Sequence, residues 1–334
     1  MEEKGEDFGN DPGLSGAGPY MFVSWDRGSE IRLTRNDNYY GELPSIKDVV
    51  YTVITEAAAG AIAVETGEIH VLLNPNNSDI PHIEASKTAV VAFGSSNFVE
   101  FFAMNGSRPP FDNPVVRRAV AMSYDKHELV LAAVDGYGTV VGQFAAPHMF
   151  GSIELPAIEK DIEGAKALLA AAGYPNGFEI TITTIEGARK RAAEVLQAGL
   201  REIGIKANVA VLESSTIVAA GRAGELDIQF GRIGTSDNDV DVILYLPFHS
   251  SNIGVINYSH FNNPEIDAQL EASRVEVDPA KREKILQDII QYIYDETVIM
   301  PTYVPVTVNF ISADLNWFVE SLNMPLIQYV SWNE

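Results

Sequence analysis

The chain has 334 residues, 46 acidic against 23 basic side chains, a net charge of -23 and no cysteine. Such a polyanion repels phosphate backbones and acidic lipid surfaces, which argues against nucleic acid as a partner, and the lack of thiols removes disulfides, zinc-thiolate centres, iron-sulfur clusters and cysteine nucleophiles. With 46 % hydrophobic and 21 % charged residues, the composition is that of a globular chain long enough for two lobes.

Residues 1–19 mix Gly5, Gly9, Gly13, Gly16 and Gly18 with acids and prolines and read as a loop. The opening Met-Glu-Glu-Lys-Gly-Glu-Asp lacks the basic and apolar regions of a secretion signal. Residues 20–25 and 31–35 alternate as paired strands about Asp26-Arg27-Gly28. A strand over 49–54, an alanine-rich helix over 56–66 closed by Gly67, and a strand over 70–73 have the size of a βαβ unit. Apolar strands over 88–93 and 99–104 lead to Arg108-Pro109-Pro110-Phe111, where consecutive prolines interrupt a sheet. A lobe boundary is expected there, close to Asn105. Asp112-Asn113-Pro114 then caps a helix predicted to run to about Asp125.

The second half alternates more regularly. Helices are predicted over 161–172, 188–203 and 214–223, with strands over 178–184, 206–212 and 226–231 between them. Helices over 263–274 and 279–295 precede β-rich runs at 298–303 and 306–311, expected to return to the first lobe. This is an α/β pattern with helices on sheet faces. No repeat of 20 to 50 residues points to a solenoid or propeller.

The commonest catalytic signatures are missing. There is no phosphate-binding Gly-x4-Gly-Lys-Ser/Thr loop, no Gly-x-Ser-x-Gly elbow and no His-Glu-x-x-His pair of zinc ligands. His70, His82, His127, His148, His249 and His260 stand singly, as surface or core histidines do. Asp237, Asp239 and Asp241 resemble the start of a calcium loop, but Val242 replaces the turn glycine and Phe248 the bidentate acid. The serine pairs at 95–96, 214–215 and 250–251 suit turns and caps, with Ser214 expected as a helix cap.

Several stretches together are more specific. Gly16-Ala17-Gly18-Pro19-Tyr20 is followed by Trp25, by Arg35-Asn36 with Tyr39-Tyr40-Gly41, and by Thr66-Gly67-Glu68-Ile69. Asn105 precedes Pro110-Phe111-Asp112-Asn113-Pro114, Val116-Arg117, Ala119 and Ala121-Met122-Ser123-Tyr124-Asp125-Lys126. Ala165-Lys166 with Leu168-Leu169 and Gly173-Tyr174, then Gln197, Leu200 and Ile203-Gly204-Ile205, then Phe248-His249-Ser250 follow in order. In these motifs the chain resembles the substrate-binding proteins of peptide, dipeptide and nickel ABC importers, solute-binding protein family 5.

The resemblance implies a type II periplasmic-binding-protein-like α/β fold: two lobes of mixed sheets flanked by helices, with a hinged cleft that a ligand closes. It divides the chain into a partial first lobe (1–104), a second lobe (105–303) and a C-terminal return (304–334), with hinges near Met104-Asn105 and Tyr303-Val304. It also implies that part of the first lobe and a signal precede residue 1. In relatives an Asp in the loop here spanning 231–241 receives the ligand's ammonium, because a buried ammonium needs a counter-charge. Ungapped alignment puts Ser236 at that position, Asp237 one residue later and Ile233 where an aromatic often sits, which weakens the peptide assignment. The carboxylate-binding Arg of relatives falls at Lys190, beside Arg189 and Arg191, residues that also suit a solvated helix turn. The candidate ligand-binding residues are therefore Arg232, Ser236, Asp237, Asp239, Arg189 and Lys190, with no catalytic residue, metal or cofactor. The expected role is periplasmic or extracytoplasmic capture of a small ligand, foremost a peptide, for an ABC importer permease, by a protein that is monomeric when complete. A sugar, opine or nickel-chelate ligand, or a half-protein pairing with a separate N-terminal part, are the alternatives.

Overall fold

The computed structural model describes residues 16–317 and 326–333; most of the expected N-terminal loop, residues 1–15, lies outside them. Strands β1 (Tyr20–Asp26) and β2 (Glu30–Arg35) form the expected antiparallel hairpin, and β3 (Asp48–Thr52) pairs on the far side of β2. Helix α1 (Ala57–Thr66) ends as predicted on Gly67, whose φ of 77° lies in the left-handed region where a Cβ would be strained. Strand β4 (Val71–Leu73), the short α2 (Ile80–Glu84) and β5 (Ala89–Gly94) follow. The run β3-α1-β4 is not a βαβ unit, because β3 and β4 belong to different sheets. The side chains of β3 alternate between exposed and half-buried, which suits an antiparallel edge rather than a parallel strand covered on both faces.

After β6 (Val99–Met104), Asn113 caps α3 (Pro114–Ala121) by accepting from the Val115 amide. This helix stops short of the expected end at Asp125. The Ser123 hydroxyl donates back to the Val120 carbonyl, while the Asp125 side chain accepts from the amides of His127 and Glu128. Asp125 thus opens a separate helix, α4 (Lys126–Val134). Next come β7 (Gly138–Val140), α5 (Ile162–Ala171), β8 (Glu179–Thr184), α6 (Ala188–Glu202), β9 (Lys206–Val211), α7 (Ser214–Ala223) and β10 (Ile228–Ile233), all but β7 close to their predicted spans. Ser214 is not a cap: it is the first residue of α7, with Glu213 in the cap position and no side-chain cap bond. The chain ends with α8 (Asp241–Phe248), which was not predicted, α9 (Pro264–Val275), α10 (Pro279–Asp295), β11 (Ile299–Pro305), β12 (Thr307–Ser312), β13 (Leu315–Asn316) and β14 (Ser331–Trp332).

Two compact units result: the first is the chain up to Ser95 and from Thr307 onward, the second Ser96–Val306. The expected divisions fell after Met104 and Tyr303. The observed ones leave β6 and β11 in one unit, since the two strands pair directly, Ala103 opposite Ile299. The first unit holds the sheets β1-β2-β3, β4-β12-β5 and β13-β14.

The second unit is built on a six-stranded mixed sheet, β7-β11-β6-β10-β8-β9, in which β8 runs parallel to β9 and β10 while β6 runs antiparallel to β10 and β11. Alternation along β6 gives the sheet two cores. Phe102 and Met104 pack with Ile182, Ile228 and Phe230 against α3, α4 and α6. Val99, Phe101 and Ala103 pack on the other face with Leu244, Leu270 and Ile290 from α8, α9 and α10. Burying both faces under helices is what permits a largely apolar strand such as β6.

Candidate functional site

Both parallel strands of the second unit that flank its centre, β8 and β10, end at the same edge of the sheet, where β6 begins and β11 finishes. In sheets of this kind the loops beyond the carboxyl ends of the strands form the crevice that receives ligands. Four charged or phenolic side chains meet there. Glu100 of β6 lies opposite Arg232 of β10 and Tyr303 of β11 in the two ladders, and the N-terminal turn of α6 brings Arg189 over it. Arg189 donates from Nε to one Glu100 oxygen at 3.0 Å.

The electrostatics follow from burial. Glu100 is only 6 % exposed. Desolvation raises its pKa above the usual carboxylate range, although Arg189 and Arg232 both oppose this. Tyr303 is raised likewise, first by burial and then by the Glu100 charge. Buried Glu100 and half-buried Arg189 form a partnered ion pair. Arg232 is different: its guanidinium is exposed and stacks at 4.4 Å over the Phe98 ring, and it makes no hydrogen bond or ion pair among the described residues. An arginine in that state offers a planar set of donors to an incoming anion or carbonyl.

The loop after β10 supplies the rest. Ser236 and Asp237 are exposed at its tip, the Ser236 hydroxyl reaching Asp237 at 3.2 Å. Beneath them Asn97, fully buried, donates to the carbonyls of Thr235 (3.0 Å) and Asp237 (3.4 Å) and to the Asn238 side chain (3.2 Å). Asp239 faces inward. It takes two bonds from Arg282, at 2.6 and 3.0 Å, and one from the Asp241 amide. Burial pushes its pKa up, but the Arg282 and Asp241 hydrogen bonds and the Arg282 charge outweigh that and hold it below normal.

The structure thus gathers Arg189, Arg232, Ser236 and Asp237 at one edge but gives them unequal freedom. Lys190 points to Glu186 one turn away, at 3.2 Å. Arg191 caps α4, donating to the carbonyls of Ala132 and Ala133. Asp239 anchors the loop to α10. Sequence reasoning missed Glu100, Asn97 and Phe98. Glu100 was detectable as a lone acid inside an apolar strand, since an isolated buried carboxylate requires a partner.

Residues 1–255 match the family described as bacterial extracellular solute-binding proteins, family 5. The chain belongs to that family. Among family 5 relatives, heme-binding protein A of Haemophilus influenzae is 30 % identical over 262 residues, 76 % of this chain and 48 % of the relative. The nickel-binding periplasmic protein of Escherichia coli is 26 % identical over 313 residues, 86 % of this chain and 55 % of the relative. The fold is that of type II periplasmic binding proteins: the periplasmic binding protein DppA of Helicobacter pylori, solved with a peptide, superposes with a TM-score of 0.85 at 24 % identity, covering 96 % of this chain and 63 % of that one. This family 5 chain therefore spans about half the length of those two curated relatives. These relatives are named as binding proteins. Among the described residues no helix is long and apolar enough to cross a membrane.

Proposed function

We infer that this chain captures a small solute outside the cytoplasm and passes it to the permease of an ABC importer, with a peptide as the solute. The observation that carries the reading is Arg232, an exposed guanidinium with unfilled donors at the carboxyl edge of the sheet, 4.4 Å over the Phe98 ring. It suits a carboxylate, while Ser236 and Asp237 a few residues on suit an ammonium group. Support also comes from relatives named for di- and tripeptides and for glutathione. Native mass spectrometry and thermal shift against peptide and sugar libraries test it. A peptide should bind, and Arg232→Ala should weaken it by at least tenfold, the scale of one charge-assisted contact. Binding of sugars alone, or peptide binding indifferent to Arg232→Ala, would overturn the peptide reading.

A second reading, in which this chain is one half of a binding protein assembled from two polypeptides, is favoured by the first unit. A cavity of about 520 Å³ opens there, lined by Tyr51, Leu72, Leu73, Trp317 and Trp332, in a unit whose sheets have, among the described residues, at most three strands. Co-purification with an upstream partner from the native source would support it.

A further inference from the structure

The geometry points to Asn97 as a positioning residue for the solute-facing turn: it registers residues 235–238 to the segment by which the chain enters the second unit. This rests on the solute-binding reading for its functional consequence, but not for its structural one. Asn97 lies two residues before β6 and directly after Ser96, where the second unit begins. Its amide nitrogen reaches three acceptors of the turn, and its amide oxygen lies 2.6 Å from Nε2 of His148. Two of those acceptors are main-chain carbonyls, which cannot donate, so the nitrogen must face the turn and the oxygen must accept from His148.

The neighbouring residues reinforce the grip. Phe98, whose amide donates to the Ser96 hydroxyl at 3.0 Å, lies beneath the Arg232 guanidinium. A Cβ on Gly234 would come within 2.4 Å of the Phe98 ring, so the turn packs on that ring as closely as glycine allows. The segment 96–98 therefore holds the loop in two places, by the Asn97 amide from below and by the Phe98 ring beside Arg232 and Gly234. From the other side the turn is held to Phe150, whose amide donates to the Asn238 carbonyl and whose carbonyl accepts from the Val240 amide. A displacement of the segment that enters the unit carries the solute-facing turn with it.

The test uses Asn97→Asp, which keeps the shape and the His148 contact but replaces the NH2 donor group with an oxygen that repels the turn's carbonyls. Hydrogen exchange at the Asp237 and Val240 amides should accelerate about tenfold, with exchange at Phe102 and Phe230 in the sheet unchanged. Equal acceleration throughout the sheet, or no change at the turn, overturns the proposal. His148→Ala, at an exposed residue, frees the amide oxygen only and guards against a folding failure; it should accelerate the same two amides by about threefold. An equimolar tripeptide mixture serves as the solute probe: Asn97→Asp should weaken its binding about tenfold, mainly through faster release. If the wild type binds no tripeptide, the peptide reading fails, while hydrogen exchange still decides the role of Asn97. Unaltered tripeptide affinity in a variant with a loosened turn would confine Asn97 to a structural part and overturn its link to binding.

Discussion

Glu100 faces Arg232 across the ladder of β6 and β10, yet it is Arg189, 89 residues away in sequence, that holds its carboxylate at 3.0 Å. The strand partner is left to stack on Phe98. One arginine neutralises the buried acid and the other remains available at the edge.

This division predicts the behaviour of Arg189→Met. Glu100 would then be buried with no partner, and removing one member of a buried pair costs about 3–5 kcal/mol. Loss of Arg189 also removes the largest opposing influence on a carboxyl already raised by burial. The penalty should therefore be greatest at neutral pH and shrink as acid protonates Glu100. Chemical denaturation of the single variant and of the double variant Arg189→Met/Glu100→Gln measures it, and the second change should restore most of the stability lost.

Lys126 opens α4 and is 5 % exposed, its ammonium donating to the Ile158 carbonyl at 3.1 Å. Burial, with the Arg118 charge adding to it, lowers its pKa from 10.5 to about 8. The folded state therefore holds this proton less tightly than the unfolded chain. Its cost is fully present below about 8 and is relieved as pH rises toward 10.5, by about 2–3 kcal/mol at roughly 1.4 kcal/mol per unit. Relative to Lys126→Met, the wild type should gain stability between pH 7 and pH 10. Parallel melting curves at the two pH values would show the crossover, and a constant difference would contradict it.

Asp239 has the opposite sign. Its pKa is held below normal despite burial by Arg282 and the Asp241 amide, so its contribution is present above the ordinary value of 3.8 and lost as pH falls through the lower folded value. Asp239→Asn should cost about 1 kcal/mol at pH 7 and less at pH 3, below the ordinary value. Urea titrations at the two pH values check this.

Gly199 in the middle of α6 looks improvable, because alanine favours a helix by about 1 kcal/mol over glycine. Here a Cβ would stand 2.3 Å from the Ser123 carbonyl oxygen and 3.0 Å from the Tyr124 Cβ. Gly199→Ala should instead destabilise by about 2–3 kcal/mol, seen as a lower melting temperature.

Legibility in the sequence followed the range of the interactions. Gly67, Gly173 and Gly204, all with positive φ, marked helix ends because a residue's own backbone sets that preference. The break between α3 and α4 was written locally too, in Asp125 and its two amide partners, but the apolar run around it concealed the cap. The supposed βαβ unit failed for a different reason: the partner of β4 is β12, Leu73 opposite Asn309, and no local pattern reveals a strand from the far end of the chain. The site divided in the same way. Arg232 and the acidic turn were reached through the family resemblance, as the loop aligned with the relatives' ligand loop, whereas the contacts that distinguish the available Arg232 from the committed Arg189 and Asp239 come from residues 96–100 and from α10.

The placement of β12 between β4 and β5 also dictates an order of assembly. Among the described residues, strands β4 and β5 do not pair with each other, and each is joined to its sheet only through β12, Thr307 to Gly94 and Ile311 to Val71. The second unit is continuous in sequence from Ser96 to Val306 and can close as soon as its last strand emerges from the ribosome. The first must wait, with two short strand edges uncovered, until Thr307–Ser312 has been made. Truncation just before Thr307 would spare the later-synthesised unit and dismantle the one synthesised first.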